Sequence, residues 1–305
     1  MSLILFLEQL LNGIQFGVML FLMSAGLTLI FGVMGLINLA HGSFYMLGAF
    51  AAAIVAGVTG SFWLALLASL CAAAIAGVLI EILIIRKLYR RDHLDQVLAT
   101  FALILLLSEG VRWLFGAFPL YLNIPSVLDG SILLPFNIIY SKYRMFIILV
   151  GILVALGLYF LISKTRLGIR IRAGQSDRQM ISALGVDISK LYTIVFAIGA
   201  SLAGLAGAMI GAIQSVEVGM GEPILILAFV VIVIGGIGSI KGAFIGSILV
   251  GVTDTIGRVF LPNFLKLFME NSDATSIGSS IGSMLIYILM ALILLIKPSG
   301  LFGKN

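Results

Sequence analysis

The sequence predicts an all-α polytopic transmembrane protein with about eight or nine membrane helices. Three observations predict it. Of 305 residues, 61% are hydrophobic and only 10% charged, with a mean hydropathy of +1.23; apolar runs of helix length follow one another along the chain; and Lys and Arg collect in short intervals between those runs. Soluble domains carry roughly 25% charged residues, and a hydrocarbon core about 30 Å thick needs about 20 apolar residues per helix. A single transmembrane domain over 1–305 is therefore expected, interrupted by one polar segment, 165–190.

Apolar runs place helices near 5–31, 37–58, 61–86, 96–117, 144–163, 192–214, 223–237, 241–260 and 279–297. No basic residue precedes Arg86, so the first run lacks the positive n-region of a signal peptide and is expected to stay. Between the first and second runs, Asn38 and His41 sit beside Gly35 and Gly42 at a helix break, where exposed backbone groups need partners. Two roles are open to them: structural hydrogen bonding, or lining a path. Cys71 lies alone in an apolar run and forms no intrachain disulfide. Glu81 stands near the basic end of the third run, Glu109 and Arg112 at i, i+3 in the fourth, and Asp254 and Arg258 at i, i+4 in the eighth. These spacings favour local neutralisation.

In the sixth run Gly199, Ala203, Gly207 and Gly211 recur every fourth residue, with Ala200, Gly204, Ala208 and Ala212 in the adjoining row. Gly48, Ala52 and Ala56 repeat the device in the second run, and Gly242 with Gly246 in the eighth. Small residues at this spacing let helix backbones approach closely; a smooth face also permits sliding. The seventh and eighth runs are divided by Gly235, Gly236 and Gly238 and read either as two short spans or as a hairpin entering from one side. GLTLIFGVMGLINLAHGSFYMLGAF at 26–50 and AFVVIVIGGIGSIKGAFIGSILVG at 228–251 share an order of apolar run, glycine break and Gly-Ala-Phe, the pattern of an internal duplication. Glycine-interrupted segments at corresponding positions point to a translocation path. Asn38, His41, Gly42, Gly235, Gly236 and Gly238 are the candidates for that path or its gate.

Basic residues set the orientation. Arg86, Lys87, Arg90 and Arg91 cluster in one loop and Lys164, Arg166, Arg170, Arg172, Arg178 and Lys190 in another, whereas 118–143 and 261–278 carry one each, Lys142 and Lys266. The two rich loops are expected in the cytoplasm. Parity then puts the tail from Lys297 to Lys304 inside and the N-terminus outside. The segments 118–143 and 261–278, rich in Pro, Tyr, Asn and acidic residues, become external loops able to receive a soluble partner.

The polar segment TRLGIRIRAGQSDRQMISALGVDISK is read as a short capped helix. Ser176 and Gln179 form a capping box; Met180, Ile181, Ala183 and Leu184 supply an apolar face; Gly185 suits the left-handed position after the helix; and Asp187 caps the next membrane helix. About two turns long, such a helix needs tertiary contacts to persist. It suits a groove on a cytoplasmic protein, or the anionic membrane surface.

Other chemistries are not expected. There is no G-x-x-x-x-G-K-[ST] loop to hold ATP, His41, His93 and Cys71 offer no metal-ligand spacing, and no nucleophile-base arrangement marks an enzyme. The net charge of +5 sorts into loops rather than onto a nucleic-acid-binding face.

INLAHG within 26–50, TRLGIRIRAGQSDRQMISALGVDISKLYTIVFAIGASLAGLAGAM, GGIGSIKGAFIGSILVG and KPSGLFGK, in that order over nearly the whole chain, resemble LivH-type permease subunits of branched-chain amino acid ABC importers. The resemblance implies a bacterial inner-membrane subunit that pairs with a second, related permease of the LivM type, two cytoplasmic ATPases that hydrolyse the ATP, and a periplasmic binding protein. It also implies that Ala173 to Gly185 is the coupling helix seated in an ATPase cleft, with Arg172, Ala173, Ser176, Asp177, Arg178, Gln179, Ile181, Leu184 and Gly185 at or near the contact. Permeases of urea and sugar importers share much of the pattern. A reading from another class, an ion-coupled secondary transporter acting alone, would use Glu81, Glu109 or Asp254 as an ion relay.

Overall fold

The computed structural model describes residues 3–89 and 91–303. Arg90 and Lys304, assigned above to basic clusters, lie outside the described residues. Helices α1 (Leu3–Met34), α2 (His41–Thr59) and α3 (Phe62–Ile80) come first, and α3 continues through a π-turn (Glu81–Ile85) into α4 (Arg86–Leu88). Then follow α5 (His93–Phe115), a hairpin of β1 (Ser131–Leu134) and β2 (Ile138–Ser141), and α6 (Lys142–Lys164). The polar segment forms α7 (Arg166–Ser176) and α8 (Arg178–Ala183), and the chain ends with α9 (Ile188–Gly211), α10 (Gly221–Gly235), α11 (Ile240–Leu265) and α12 (Asn271–Ile296). Among the described residues eight helices, counting α3 to α4 as one, are long and apolar enough to cross a membrane. A helix satisfies its own backbone groups, which hydrocarbon cannot do.

The glycine break in 223–260 yields unequal products. At 1.5 Å per residue, the 15-residue α10 is about 22 Å long, short of a full crossing, whereas the 26-residue α11 is ample. The loop expected over 261–278 shrinks to the few residues between Leu265 and Asn271. Pro262 lies within the last turn of α11, where only one backbone bond is lost to it, and Gly278 of α12 packs directly on the proline ring. The segment 118–143 holds the antiparallel hairpin, registered Ser131 to Ser141 and Leu134 to Ile138. Its tip residues Phe136 and Asn137 have φ of 67° and 60°.

The chain divides into two compact units. One comprises Met1–Phe21, Ser126–Ile152 and Phe229–Asn305. In it α11 and α12 run together along their length, with Gly257, Gly278 and Gly282 at the contact, and Gly13 and Gly17 of α1 lie against Val252 and Ser247 of α11. Phe21 meets Phe244 edge-on, and Arg144 donates to Asn12 Oδ1 at 2.5 Å. The C-terminal residues Leu301 and Phe302 donate their backbone N–H groups to the Ile234 and Gly235 carbonyls, filling acceptors that the end of α10 leaves open.

The other unit comprises Leu22–Pro125 and Leu153–Ala228 and is built around α9, which packs against both α2 and α3. The small-residue rows lie at these contacts. A methyl group on Gly77 of α3 would sit 2.6 Å from Ala200 Cβ, and one on Gly26 of α1 2.5 Å from the Gly199 carbonyl oxygen. Gly48 of α2 is pressed on Gly204, whose other side meets Ala73, and Gly207 is pressed on the Tyr45 carbonyl. Close approach of backbones explains why glycine and alanine, rather than larger apolar residues, occupy this face.

Candidate functional site

The polar segment is a helix pair followed by a capped start to α9. Thr165 opens α7, its hydroxyl accepting from the Gly168 N–H at 3.1 Å. Gly168, Ile171 and Gly174 form its buried edge, while Arg166, Arg170 and Arg172 are exposed. Gly168 sits against the Leu161 and Ile162 carbonyls, and Arg172 Nη1 donates to the Ile162 carbonyl, one of the acceptors left open at the end of α6.

The capping box expected at Ser176 and Gln179 does not form. Ser176 is the last residue of α7, and Asp177 is the N-cap of α8, its Oδ1 accepting from Gln179 and Met180 N–H at 2.9 Å each. A carboxylate placed here accepts both bonds and also complements the positive helix end, so it displaces the neighbouring hydroxyl from the capping position. At the other end the Gly185 N–H bonds to the Ser182 carbonyl and the Val186 N–H to the Ile181 carbonyl, with Gly185 at φ 83°. This paired closure requires a left-handed residue, which explains the glycine. Asp187 caps α9 by accepting from the Lys190 N–H at 3.1 Å, and that backbone bond holds its carboxyl below the ordinary carboxylate value.

Helix α8 faces two ways. Ile181 is 5% exposed and anchors it, whereas Met180 and Leu184, four residues apart on one face, are 59% and 76% exposed. Ala173 is half-buried in α7, and Gln179 is exposed. Arg178, at the start of α8, lays its guanidinium over Gly35 in the break between α1 and α2; a methyl on Gly35 would lie 2.7 Å from Nη2. Gly35 has φ 62°, so the break itself begins with a left-handed residue. Sequence patterning gave no sign of this contact, because 143 positions separate the two.

The residues beyond Gly35 are closed off. Asn38 and His41 have no solvent exposure. His41 Nε2 is 3.2 Å from the Met23 carbonyl oxygen, while His41 Nδ1 and both polar atoms of the Asn38 side chain have no hydrogen-bond partner. Gly42 is pressed on the Gly221 carbonyl. The second glycine break differs in that its new helix carries a side-chain cap, which α2 lacks. α10 ends at Gly235, Gly236 and Gly238 take φ of 95° and 79°, Ser239 caps α11, and Gly242 packs on Gly235.

Of the membrane carboxylates, Glu109 pairs with Arg112 at 2.6 Å in an exposed position, and Asp254 with Arg258 at 2.8 Å. Glu81 is wholly buried and takes four contacts. Arg86 Nε donates to Oε1 at 3.2 Å and Nη2 to Oε2 at 2.9 Å, Tyr89 Oη donates to Oε1 at 2.7 Å, and Thr193 Oγ1 lies 2.8 Å from Oε2. Burial, then the bond to Glu81, pushes the Tyr89 phenol well above its usual value, which keeps it a donor. An apolar cleft of about 380 Å³ between α11 and α12, lined by Val252, Thr253, Ile256, Phe260, Phe264 and Leu285 among others, has almost no polar surface to orient a charged solute. Among the described residues no three of His, Cys, Asp and Glu are grouped to hold a metal ion.

The family described as branched-chain amino acid transport system, permease component, matches residues 9–294. The chain is 30% identical, over 98% of its length and 96% of the relative's, to the high-affinity branched-chain amino acid transport system permease protein BraD of Pseudomonas aeruginosa. It is 29% identical to the corresponding permease protein LivH of Escherichia coli, again over 98% and 96% of the two chains. It is also 29% identical to the probable branched-chain amino acid transport permease protein LivH of Methanocaldococcus jannaschii, over 94% and 89%. No solved structure matches it. With a family match across nearly its whole length and eight apolar helices, the chain belongs to the branched-chain amino acid transport system permease family, and is a multi-pass membrane protein of that family.

Proposed function

We propose that this chain is one of two paired permeases in an ATP-binding-cassette importer of the bacterial inner membrane. The second permease is related, of the LivM type; two cytoplasmic ATPases supply energy, and a periplasmic protein delivers a branched-chain or related amino acid. The chain binds no nucleotide or other cofactor itself. The observation that carries this reading is the build of α8. A six-residue helix, too short to persist alone, is capped at both ends, anchored by Ile181, and turned so that Met180 and Leu184 stand in solvent. Two large apolar side chains held out on a rigid polar mount fit the cleft of a soluble partner.

Transport then proceeds by alternating access. Nucleotide closes the ATPase pair, α8 moves with it, and a cavity shared by the two permeases changes the side on which it opens. Nucleotide shifts that equilibrium only through different affinity for the two states, so the exposed face of α8 fits its partner differently in each. The ion-coupled alternative needs a membrane carboxylate free to exchange ions, whereas Glu81, Glu109 and Asp254 are each held by an arginine.

Uptake of radiolabelled leucine into proteoliposomes tests the reading. The chain reconstituted with its copurifying permease, ATPases and binding protein is expected to accumulate leucine only with ATP inside the ATPase compartment. Flux by the chain alone under an ion gradient would overturn the proposal. Competition by valine, urea and ribose in the same assay assigns the solute class.

A further inference from the structure

Glu81 sits where the helix winding changes. Its backbone carbonyl accepts the Arg86 N–H, the i→i+5 bond of a π-turn, and its side chain binds the same arginine. In regular α-helix, residues five apart point well away from each other; the π-turn brings Arg86 back beneath Glu81. The carboxylate is thus held from its own helix by Arg86 and Tyr89, and from α9 by Thr193. Arg86 Nη2 also donates to Thr193 Oγ1 at 2.8 Å, so carboxylate, guanidinium and hydroxyl close a three-membered polar ring across two helices. Next to Thr193, Tyr192 meets the Tyr89 ring edge-on at 5.0 Å. Two successive residues of α9 are therefore gripped by one buried carboxylate and its partners.

These residues stand in the second turn of α9, and α9 starts five residues after α8 ends. Thr193 also lies 2.9 Å from the Ser189 carbonyl oxygen, a turn closer to the Asp187 cap. A displacement of α8 thus enters α9 below the grip and meets it at once.

We infer that Glu81 is a positioning residue for energy coupling: with Arg86 and Thr193 it clamps the start of α9 to the π-turn, so that movement imposed on α8 is delivered to α3 as well as to α9. The clamp rests on the importer reading given above. It assigns no substrate contact to Glu81; its charge serves to hold two helices together where they enter the membrane.

The test uses the complete importer in proteoliposomes and reads leucine moved per ATP hydrolysed. Thr193→Val removes the α9 side of the clamp while leaving Glu81 with Arg86 and Tyr89; Thr193→Ser keeps the hydroxyl. The Val variant is expected to lower the ratio at least threefold, and the Ser variant to restore it. An unchanged ratio in the Val variant, with wild type importing normally, overturns the clamp and leaves the importer standing. Wild type that fails to import with ATP overturns the importer itself. Should the Val variant not assemble, amide exchange in the wild-type complex decides: nucleotide is expected to change protection at 81–86 and 189–193 together, and a change at 189–193 alone overturns the clamp.

Discussion

Truncating the exposed face of α8 should weaken ATPase binding by a calculable amount. Met180 and Leu184 are 59% and 76% exposed, and burying such a side chain fully is worth about 1.5–3 kcal/mol. Cutting each to alanine then removes about 1–2 kcal/mol of contact with the partner, and the double variant about 2–4 kcal/mol. At about 1.4 kcal/mol per tenfold, that is a loss of roughly 30- to 700-fold in affinity. Titrating the purified ATPase onto nanodisc-embedded permease pairs by biolayer interferometry measures it. Both side chains stand in solvent, so thermal unfolding of the permease should move by no more than about 0.5 kcal/mol. Ile181→Ala supplies the contrast: its side chain is 5% exposed, and the truncation is expected to loosen α8 itself, at a cost of about 2–5 kcal/mol. An affinity reduced less than threefold by the double truncation would refute the assignment of this face to the ATPase.

Four further outcomes follow from the same geometry. Gly42→Leu drives a side chain into the Gly221 carbonyl and should destabilise by about 1–3 kcal/mol or more, read as a lowered melting temperature in detergent. Gly57→Ala, where nothing lies within 4 Å, should instead stabilise by about 0.5–1 kcal/mol. Gly185→Ala forces a methyl into φ 83° at about 1–2 kcal/mol, seen as faster amide exchange at 181–186. Because the Lys190 N–H holds the Asp187 carboxyl below its ordinary value, the cap's contribution is complete above the unfolded-state value and is lost only as pH falls through the lower folded one. Amide exchange at 188–190, corrected for intrinsic rate, should be flat from pH 5 to 8 and accelerate only in acid.

The membrane helices were legible because an apolar run longer than 18 residues has few other uses, and the small-residue rows of α9 because a four-residue spacing implies one helix face. Helix α7 was not legible. Its buried edge is Gly168, Ile171 and Gly174, and two glycines add nothing to a hydrophobic pattern although they give the closest approach. The start of α8 was displaced by one residue because Ser176 and Asp177 are both good caps, and only the preceding helix, which claims Ser176, decides between them. The end of α11 lies beyond the apolar run because Pro262 reads as a stop, whereas in a last turn it costs one bond, and α12 starts before its run because its first ten residues, Asn271 to Ser280, are mostly polar. Glu81 was expected to find a basic partner and did, but the five-residue spacing to Arg86 is no α-helical pairing, and nothing local reveals Thr193, 112 positions away.

The same contacts decide between packing and sliding for the glycine rows. Sliding needs a face whose steps are all small along the direction of motion. On α9, Gly204 fits between Gly48 and Ala73, while Gly207 rests on the Tyr45 carbonyl and Ala200 on Gly77. Gly199, Gly204 and Gly207 each meet a neighbouring helix at backbone contact. A shift of one residue would bring Leu205 toward the Gly204 site, where a methyl group is already too large, and close-packed interiors do not deform by that much. The latter half of α1 joins the block through Gly26 on Gly199. Within this unit α9 is therefore packed as one block with its neighbours, and on the importer reading a partner that displaces α8 is expected to move that block. A clamp at Glu81 adds directional bonds to such a block, because the Thr193 hydroxyl ties α9 to the buried carboxylate and to its arginine, and parting the helices would leave that buried carboxylate short of a partner.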